Sequence, residues 1–296
     1  MQDQLQDPQL SKKITPQTIK TKVGVVEYVE VGSGPAVIAI HGAMGGYDQS
    51  LILAQAIGAP GYRYLCLSRP GFLGTPFAAG KTPEAQGDLV AAFLDALELS
   101  QAGVMAISGG GPSAVQFGLR HPARCRGLVL VATVATPVQI PIPRSTKLMM
   151  VLARWPWFVN RYRRKAEQNL EAAAKRSIRD PAVLARTIQD QETWSLFSTL
   201  LLSTFDRMDR RLVGSKNDIE ISRTATYPLE KLTVPVLIVH GTADRLAPFE
   251  NARLYEQSVP NASLLVIEGG EHVAIFTHRK QIRETVSEFM TLHFAA

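Results

Sequence analysis

Residues Val104-Met105-Ala106-Ile107-Ser108-Gly109-Gly110-Gly111-Pro112-Ser113-Ala114 decide how this chain folds. An apolar run ends in a serine, three glycines follow, and a helix opens whose first turn tolerates Pro112. So tight a strand-to-helix turn lifts the serine hydroxyl clear of a sheet, provided the residues two before and two after it are small. Here they are Ala106 and Gly110. The same turn aims the Gly109 N–H and the helix N-terminus at whatever sits above Ser108, where a developing oxyanion gains stabilisation. Other readings compete. Gly109-x-Gly111-x-x-Ala114 fits the dinucleotide pattern GxGxxA, but that fingerprint wants an acid at the end of the next strand, and no Asp or Glu lies between Glu98 and Glu167. A phosphate loop would need a Lys that does not follow. A purely structural turn is the remaining alternative.

Outward from this turn, short apolar runs recur at Val37–Ile40, Tyr64–Leu67, Leu128–Ala132, Val236–Val239 and Leu264–Ile267. Each is bounded by Gly, Pro or a polar residue, as strands are when both faces of a parallel sheet are covered. Lys22 to Val31 alternates like a strand and ends in the turn Gly32-Ser33-Gly34-Pro35. Helical patterns lie between the runs: Pro83 to Leu97, Pro112 to Arg120, Phe249 to Ser258 and Thr277 to His293. The alternation predicts an α/β fold, a mostly parallel twisted sheet with helices on both faces. It breaks between Thr136 and Tyr227, where Arg/Lys-rich helical stretches such as Arg161 to Arg179 point to a helical insertion. The expected organisation is a flexible leader over 1–21, a core of 22–135 and 228–296, and the insertion over 136–227.

With 296 residues, 46% of them hydrophobic, the chain can bury a large core, which excludes disorder. Two cysteines, Cys66 and Cys125, exclude a disulfide scaffold and read as reduced structural thiols. No apolar run is long enough to span a membrane, and the polar start reads as no secretory signal, so a cytoplasmic location is expected. The net charge is +6, but its excess is local: 140–223 holds 16 Lys/Arg against 9 Asp/Glu. That is read as a solvated helical face, with acidic ligands or anionic lipid the lesser alternative and no nucleic-acid partner. Oligomeric state is not legible.

A serine hydroxyl becomes nucleophilic only when a base takes its proton, and the base needs an orienting carboxylate. Of six histidines, His121, His278 and His293 lie at helix ends, and His41 and His240 each end a strand before Gly, a structural pattern. His272, in Glu268-Gly269-Gly270-Glu271-His272, follows the last strand in a polar loop that can swing a ring over the sheet edge, and is the favoured base. Asp244, just past another strand end, is the best orienting acid; Glu268 and Glu271 would need a contorted loop. The glycine-rich loop His41-Gly42-Ala43-Met44-Gly45-Gly46 should give the second oxyanion donor, Ala43, with Met44 the near alternative. Asp48 is expected to cap the next helix. No residue cluster has metal-ligand spacing, and neither metal nor organic cofactor is implied.

Taken in order, the strand–His–Gly loop, serine elbow, post-strand Asp and C-terminal loop His resemble the α/β-hydrolase superfamily, over nearly the whole chain. Ser68-Arg69-Pro70-Gly71-Phe72 is similar to its D-R-P-G-[FY] turn, with Ser68 in place of Asp, and Ala106 stands where G-x-S-x-G has its first Gly. The resemblance implies Ser108 as nucleophile, His272 as base, Asp244 as orienter, and 136–227 as a helical cap after the sixth strand. Tracts Leu148–Leu152 and Thr193–Phe205 would line an acyl pocket or simply pack cap on core. Epoxide hydrolases and haloalkane dehalogenases of the family carry Asp at the elbow, which Ser108 disfavours. The expected activity is a cofactor-free carboxylesterase acting on a small-molecule ester. A C–C bond hydrolase, an amidase or aminopeptidase, a lactonase, a cofactor-free haloperoxidase and a non-catalytic binder on the same scaffold are the alternatives.

Overall fold

The computed structural model describes residues 7, 10–138, 151–224 and 226–295. Eight strands form one sheet: β1 (Gln17–Lys20), β2 (Val25–Gly32), β3 (Ala36–Ile40), β4 (Arg63–Leu67), β5 (Ala102–Ile107), β6 (Cys125–Val131), β7 (Val236–Gly241) and β8 (Ala262–Ile267). Their order is β1-β2-β4-β3-β5-β6-β7-β8. β1 and β2 are antiparallel to their neighbours, and the rest run parallel. The apolar runs are strands for the reason their composition gives. Along β3, Val37 and Ala39 join the core on one face while Ile38 and Ile40 join the core on the other. β5, β6 and β7 sort the same way, Met105 against Val104 and Ala106, Val129 against Leu128 and Leu130, Leu237 against Val236 and Ile238.

Helices α1 (Tyr47–Ile57), α2 (Pro83–Ala96) and α3 (Gly111–Arg120) connect these strands, and α4 (Pro156–Gln168), α5 (Leu170–Ala174), α6 (Pro181–Gln189), α7 (Gln191–Ser203) and α8 (Asp209–Thr224) lie between β6 and β7. Two more, α9 (Glu250–Ser258) and α10 (Arg279–His293), flank the last strand. From β3 the chain steps to β4 on one side and then to β5 on the other. That reversal opens a crevice at the carboxyl ends of β3 and β5, where ligands of open α/β sheets bind.

The structure corrects several expectations. The 1–21 leader contains β1, hydrogen-bonded along β2 from Gln17↔Tyr28 to Lys20↔Val25. With one apolar residue, Ile19, it has no hydrophobic signature, because backbone pairing on an exposed edge holds it. Arg161 to Arg179 holds the end of α4 and all of α5, broken at Asn169, whose side chain caps α5 by accepting from the Ala172 N–H. The helix expected over Thr277–His293 is α10, which begins two residues later, and a separate helical turn at Ala274–Thr277 precedes it. Both cysteines are buried and free, and burial pushes the Cys125 thiol up to about 12. Among the described residues, no helix is long and apolar enough to cross a membrane.

Candidate active site

β5 delivers Ser108 at the switch crevice with φ +52°, a left-handed conformation that a serine adopts only where its surroundings enforce it. The enforcing contacts come from both sides. Thr133 Oγ1 donates to the Ser108 carbonyl at 2.9 Å, and a Cβ at Gly110 would lie 2.6 Å from the His41 carbonyl oxygen, so the following turn admits only glycine. Ala106 is fully buried within β5 without disturbing it.

Three side chains meet here from distant parts of the sequence. His272 Nε2 lies 3.0 Å from Ser108 Oγ, and His272 Nδ1 lies 2.8 Å from Asp244 Oδ2. Asp244 Oδ1 accepts the Leu246 and Ala247 N–H groups at 2.8 and 3.0 Å. Burial alone would raise this carboxyl; the His272 bond and these two N–H groups outweigh it and hold it below its ordinary value. An ionised Asp244 therefore keeps the His272 proton on Nδ1, leaving Nε2 free to accept from Ser108. Glu271 is drawn away to Arg179, and Glu268 accepts from Thr242.

His41 and His240 are structural. His41 Nδ1–H donates to the Gly42 carbonyl at 2.7 Å and Nε2 accepts the Arg69 N–H at 3.0 Å. Its pKa is held well below the ordinary value by burial and then by the Arg69 charge. His240 is buried, with Nε2 2.7 Å from the Ala247 carbonyl.

In the loop after β3, the Met44 N–H is consumed by Ser215 Oγ at 2.9 Å, which removes it as an oxyanion donor. The Ala43 N–H has no partner among the described residues. Its nitrogen is 3.5 Å from where a Cβ would stand on Gly109, whose own N–H is an orphan at a helix start. Asp48 is not the N-cap of α1 but stands in its first turn, where Oδ1 accepts the Gln49 N–H at 3.0 Å, and it pairs with Arg211, which is completely buried.

Above Ser108 opens a cavity of about 770 Å³, lined on the core side by Ala43, Gly109 and Val134 and on the other by Tyr162, Phe205, Met208, Leu212 and Ile221. Charge enters it only through Arg176 and Asp218, among the described lining residues. Of Thr193–Phe205, Phe205 alone lines this cavity. Leu196 and Phe197 pack into the core beneath, so that tract is insertion-on-core packing. Leu148–Leu152 falls outside the described residues except Val151 and Leu152. Ser215 and Asp218, and the pairing of Asp218 with Arg69, are features of the site that the sequence did not single out.

The family model described as alpha/beta hydrolase fold matches residues 35–279. A poly(3-hydroxyalkanoate) depolymerase of Ectopseudomonas oleovorans is 28% identical over 214 residues, 68% of this chain and 65% of that protein. A 2-hydroxy-6-oxononadienedioate/2-hydroxy-6-oxononatrienedioate hydrolase of Cupriavidus pinatubonensis is 25% identical over 270 residues, 88% of this chain and 89% of that one. Among solved structures, an alpha/beta hydrolase fold protein from Nakamurella multipartita superposes with a TM-score of 0.81 at 31% identity, covering 93% of this chain and 98% of its own.

Proposed function

The match over residues 35–279 makes this chain a member of the alpha/beta hydrolase fold family, and on that premise we propose that it is a serine hydrolase, a carboxylesterase for small to medium esters with an apolar acyl group. The observation that carries the reading is the unbroken hydrogen-bond chain Asp244–His272–Ser108, at 2.8 and 3.0 Å. Ser108 Oγ attacks the ester carbonyl as His272 Nε2 takes its proton. The tetrahedral oxyanion receives the N–H groups of Gly109 and Ala43. His272 then protonates the leaving alcohol, and the acyl-enzyme is released by a water that gives its proton to the same nitrogen.

The cavity supports the choice of substrate. It is of drug-sized ligand volume and apolar, and its Asp218 is already paired with Arg69, which leaves no free carboxylate among the described lining residues to hold the amine of an aminopeptidase substrate. A second reading comes from the Cupriavidus relative, whose name specifies a keto-dicarboxylate. Two carboxylates call for at least two cationic partners, and Arg176 is the single basic residue among the described lining. The neutral ester is favoured.

The test is a panel of p-nitrophenyl esters of rising chain length beside a 2-hydroxy-6-oxo dienedioate, a lactone and an aminoacyl anilide, with fluorophosphonate labelling in parallel. Ester turnover and a label, both abolished in Ser108→Ala, are expected. No ester turnover and no label in the wild type would overturn the proposal in favour of a binding protein, and preferred cleavage of the keto-diacid would favour the second reading.

A further inference from the structure

One face of α8 presents Arg211, Ser215 and Asp218, spaced i, i+4 and i+7, to the loop after β3. All three are buried. Arg211 forks onto Asp48 at 3.1 and 2.6 Å and gives Nη1 to the Met44 carbonyl at 3.2 Å. Ser215 Oγ accepts the Met44 N–H. Asp218 accepts both Nη groups of Arg69 at 2.8 and 2.6 Å. Arg69 in turn donates Nε to the His41 carbonyl at 3.0 Å and Nη2 to the Gly42 carbonyl at 3.1 Å. The helix itself is fixed by backbone bonds, Gly214 N to Gly71 O at 2.9 Å and Leu73 N to Arg210 O at 3.0 Å.

This network bears on one peptide group. The Gly42–Ala43 bond is trans, so its C=O and N–H point in opposite directions. Arg69 and the His41 Nδ1–H together hold the C=O. The Ala43 N–H is thereby turned the other way, to the side where Ala43, Ser108 and Gly109 line the cavity. Asp218 supplies what the arrangement needs electrostatically. A guanidinium as buried as Arg69 requires a counter-charge, and a carboxylate this near the elbow is tolerable beside an oxyanion only when a cation neutralises it. The fork makes the pair neutral and geometrically fixed at once.

We propose that Asp218 and Arg69 are positioning residues that set the Ala43 N–H for oxyanion binding, so that α8 is a fixed strut of the catalytic apparatus and not part of a moving lid. The inference rests on the serine-hydrolase reading above. It gives the Asp218 carboxylate, at the cavity wall, a role in rate and none in substrate affinity.

The experiment compares wild type, Ser108→Ala, Asp218→Asn and the apolar double variant R69M/D218L on p-nitrophenyl butyrate. Inhibition is measured with an alkyl trifluoromethyl ketone, whose adduct places an oxyanion in the hole, and with 1-butanol, which is neutral and forms none. Removing one oxyanion donor costs about 10²–10³-fold in kcat, and a donor merely mis-set should approach the lower figure. Asp218→Asn is expected to lose about 10²-fold in kcat with KM within about threefold, and to weaken the ketone in parallel while 1-butanol binds as before. If Asp218→Asn does not fold, R69M/D218L answers instead, since replacing a buried ion pair by apolar groups commonly preserves stability. The same kcat loss is expected of it, at a Tm lowered only by the His41 and Gly42 carbonyls that lose the Arg69 donors. A folded variant that keeps kcat within threefold, or that weakens ketone and 1-butanol alike, overturns the positioning role. A wild type that is inert, or that Ser108→Ala matches, sinks the serine-hydrolase reading itself, and this inference with it.

Discussion

Asp244→Asn is the perturbation whose outcome the geometry specifies most closely. The Asp244 Oδ1 atom accepts two backbone N–H groups, from Leu246 and Ala247, and an asparagine must keep its carbonyl oxygen on those donors. Its NH2 group then faces His272 Nδ1, where Oδ2 now lies at 2.8 Å. Two donors cannot share that contact, so the imidazole moves its proton to Nε2 and points an N–H at Ser108. The serine loses its base although no atom has shifted appreciably. A tautomer error of this kind costs about 10⁴-fold in kcat, or about 5.4 kcal/mol at 1.36 kcal/mol per tenfold. The backbone bonds survive, so the loss of stability should stay near the ~1.5–3 kcal/mol of one charge-assisted hydrogen bond. Steady-state hydrolysis of p-nitrophenyl butyrate beside a urea titration measures both. An Asp244→Asn protein that keeps a tenth of wild-type kcat/KM, while Ser108→Ala keeps none, would refute the argument that Asp244 works by fixing the tautomer.

Other outcomes follow from the same coordinates. His41 and His240 are buried with lowered pKa values, so below the ordinary 6.5 the unfolded chain binds protons at these sites that the native state refuses. Stability should therefore fall as pH drops below 6.5, by up to about 1.4 kcal/mol per pH unit for each ring; urea midpoints at pH 7.5, 6.5 and 5.5 that do not move would contradict this. Gly214→Ala improves helix propensity by about 1 kcal/mol, yet its methyl would overlap the Phe72 ring. A net loss of about 1–3 kcal/mol is expected, and a raised Tm would show that α8 is not packed as described. Met208 lines the cavity, so Met208→Ala should favour longer acyl chains over butyrate by roughly tenfold in kcat/KM, one methylene in such a pocket being worth about 1–3 kcal/mol; an unchanged chain-length profile would place the acyl group elsewhere.

Much of this molecule was legible because its local chemistry matched its tertiary role. The runs around Ile38, Met105 and Val129 are apolar on both faces since both faces are covered, and they read as strands without ambiguity. Ser108, Asp244 and His272 could be singled out because each lies in the turn or loop after a strand, and the structure brings those three together. Asp218 and Arg211 were not legible, and neither was the partner of Arg69, although its turn was. Asp218 and Arg69 stand 149 residues apart, and on a helix in a basic segment the charges of Asp218 and Arg211 look like part of a solvated face. For exposed neighbours such as Lys175 that reading holds, whereas Arg211 has no exposure at all. The i, i+4, i+7 spacing of Arg211, Ser215 and Asp218 is the one available signal. It also fits an ordinary polar stripe, so only the partner loop decides. Thr193–Phe205 failed differently: its apolarity is real, but a hydropathy pattern cannot say whether a helix faces a ligand or α1.

The departure at Ser68 shows how chemistry that a motif assigns to one residue can be relocated. The D-R-P-G-[FY] turn would place a carboxylate here, where Tyr47 N needs an acceptor at the start of α1. Ser68 Oγ accepts that N–H at 2.9 Å and donates its own O–H to Glu27 Oε2 at 2.7 Å. The same Glu27 oxygen accepts the Gly74 N–H at 3.0 Å, closing the far end of the turn. The negative charge is thus retained, 41 positions away on β2, and reaches the helix start through a hydroxyl. An aspartate at 68 would set a second carboxylate against Glu27, 5% exposed, where like charges at contact distance cannot both stay ionised. Ser68 and Glu27 are therefore one unit, and the serine marks a substitution already compensated. Arg69, the next residue, keeps its backbone N–H on His41 and its guanidinium on Gly42, so the part of the turn that reaches the elbow is the part that did not change.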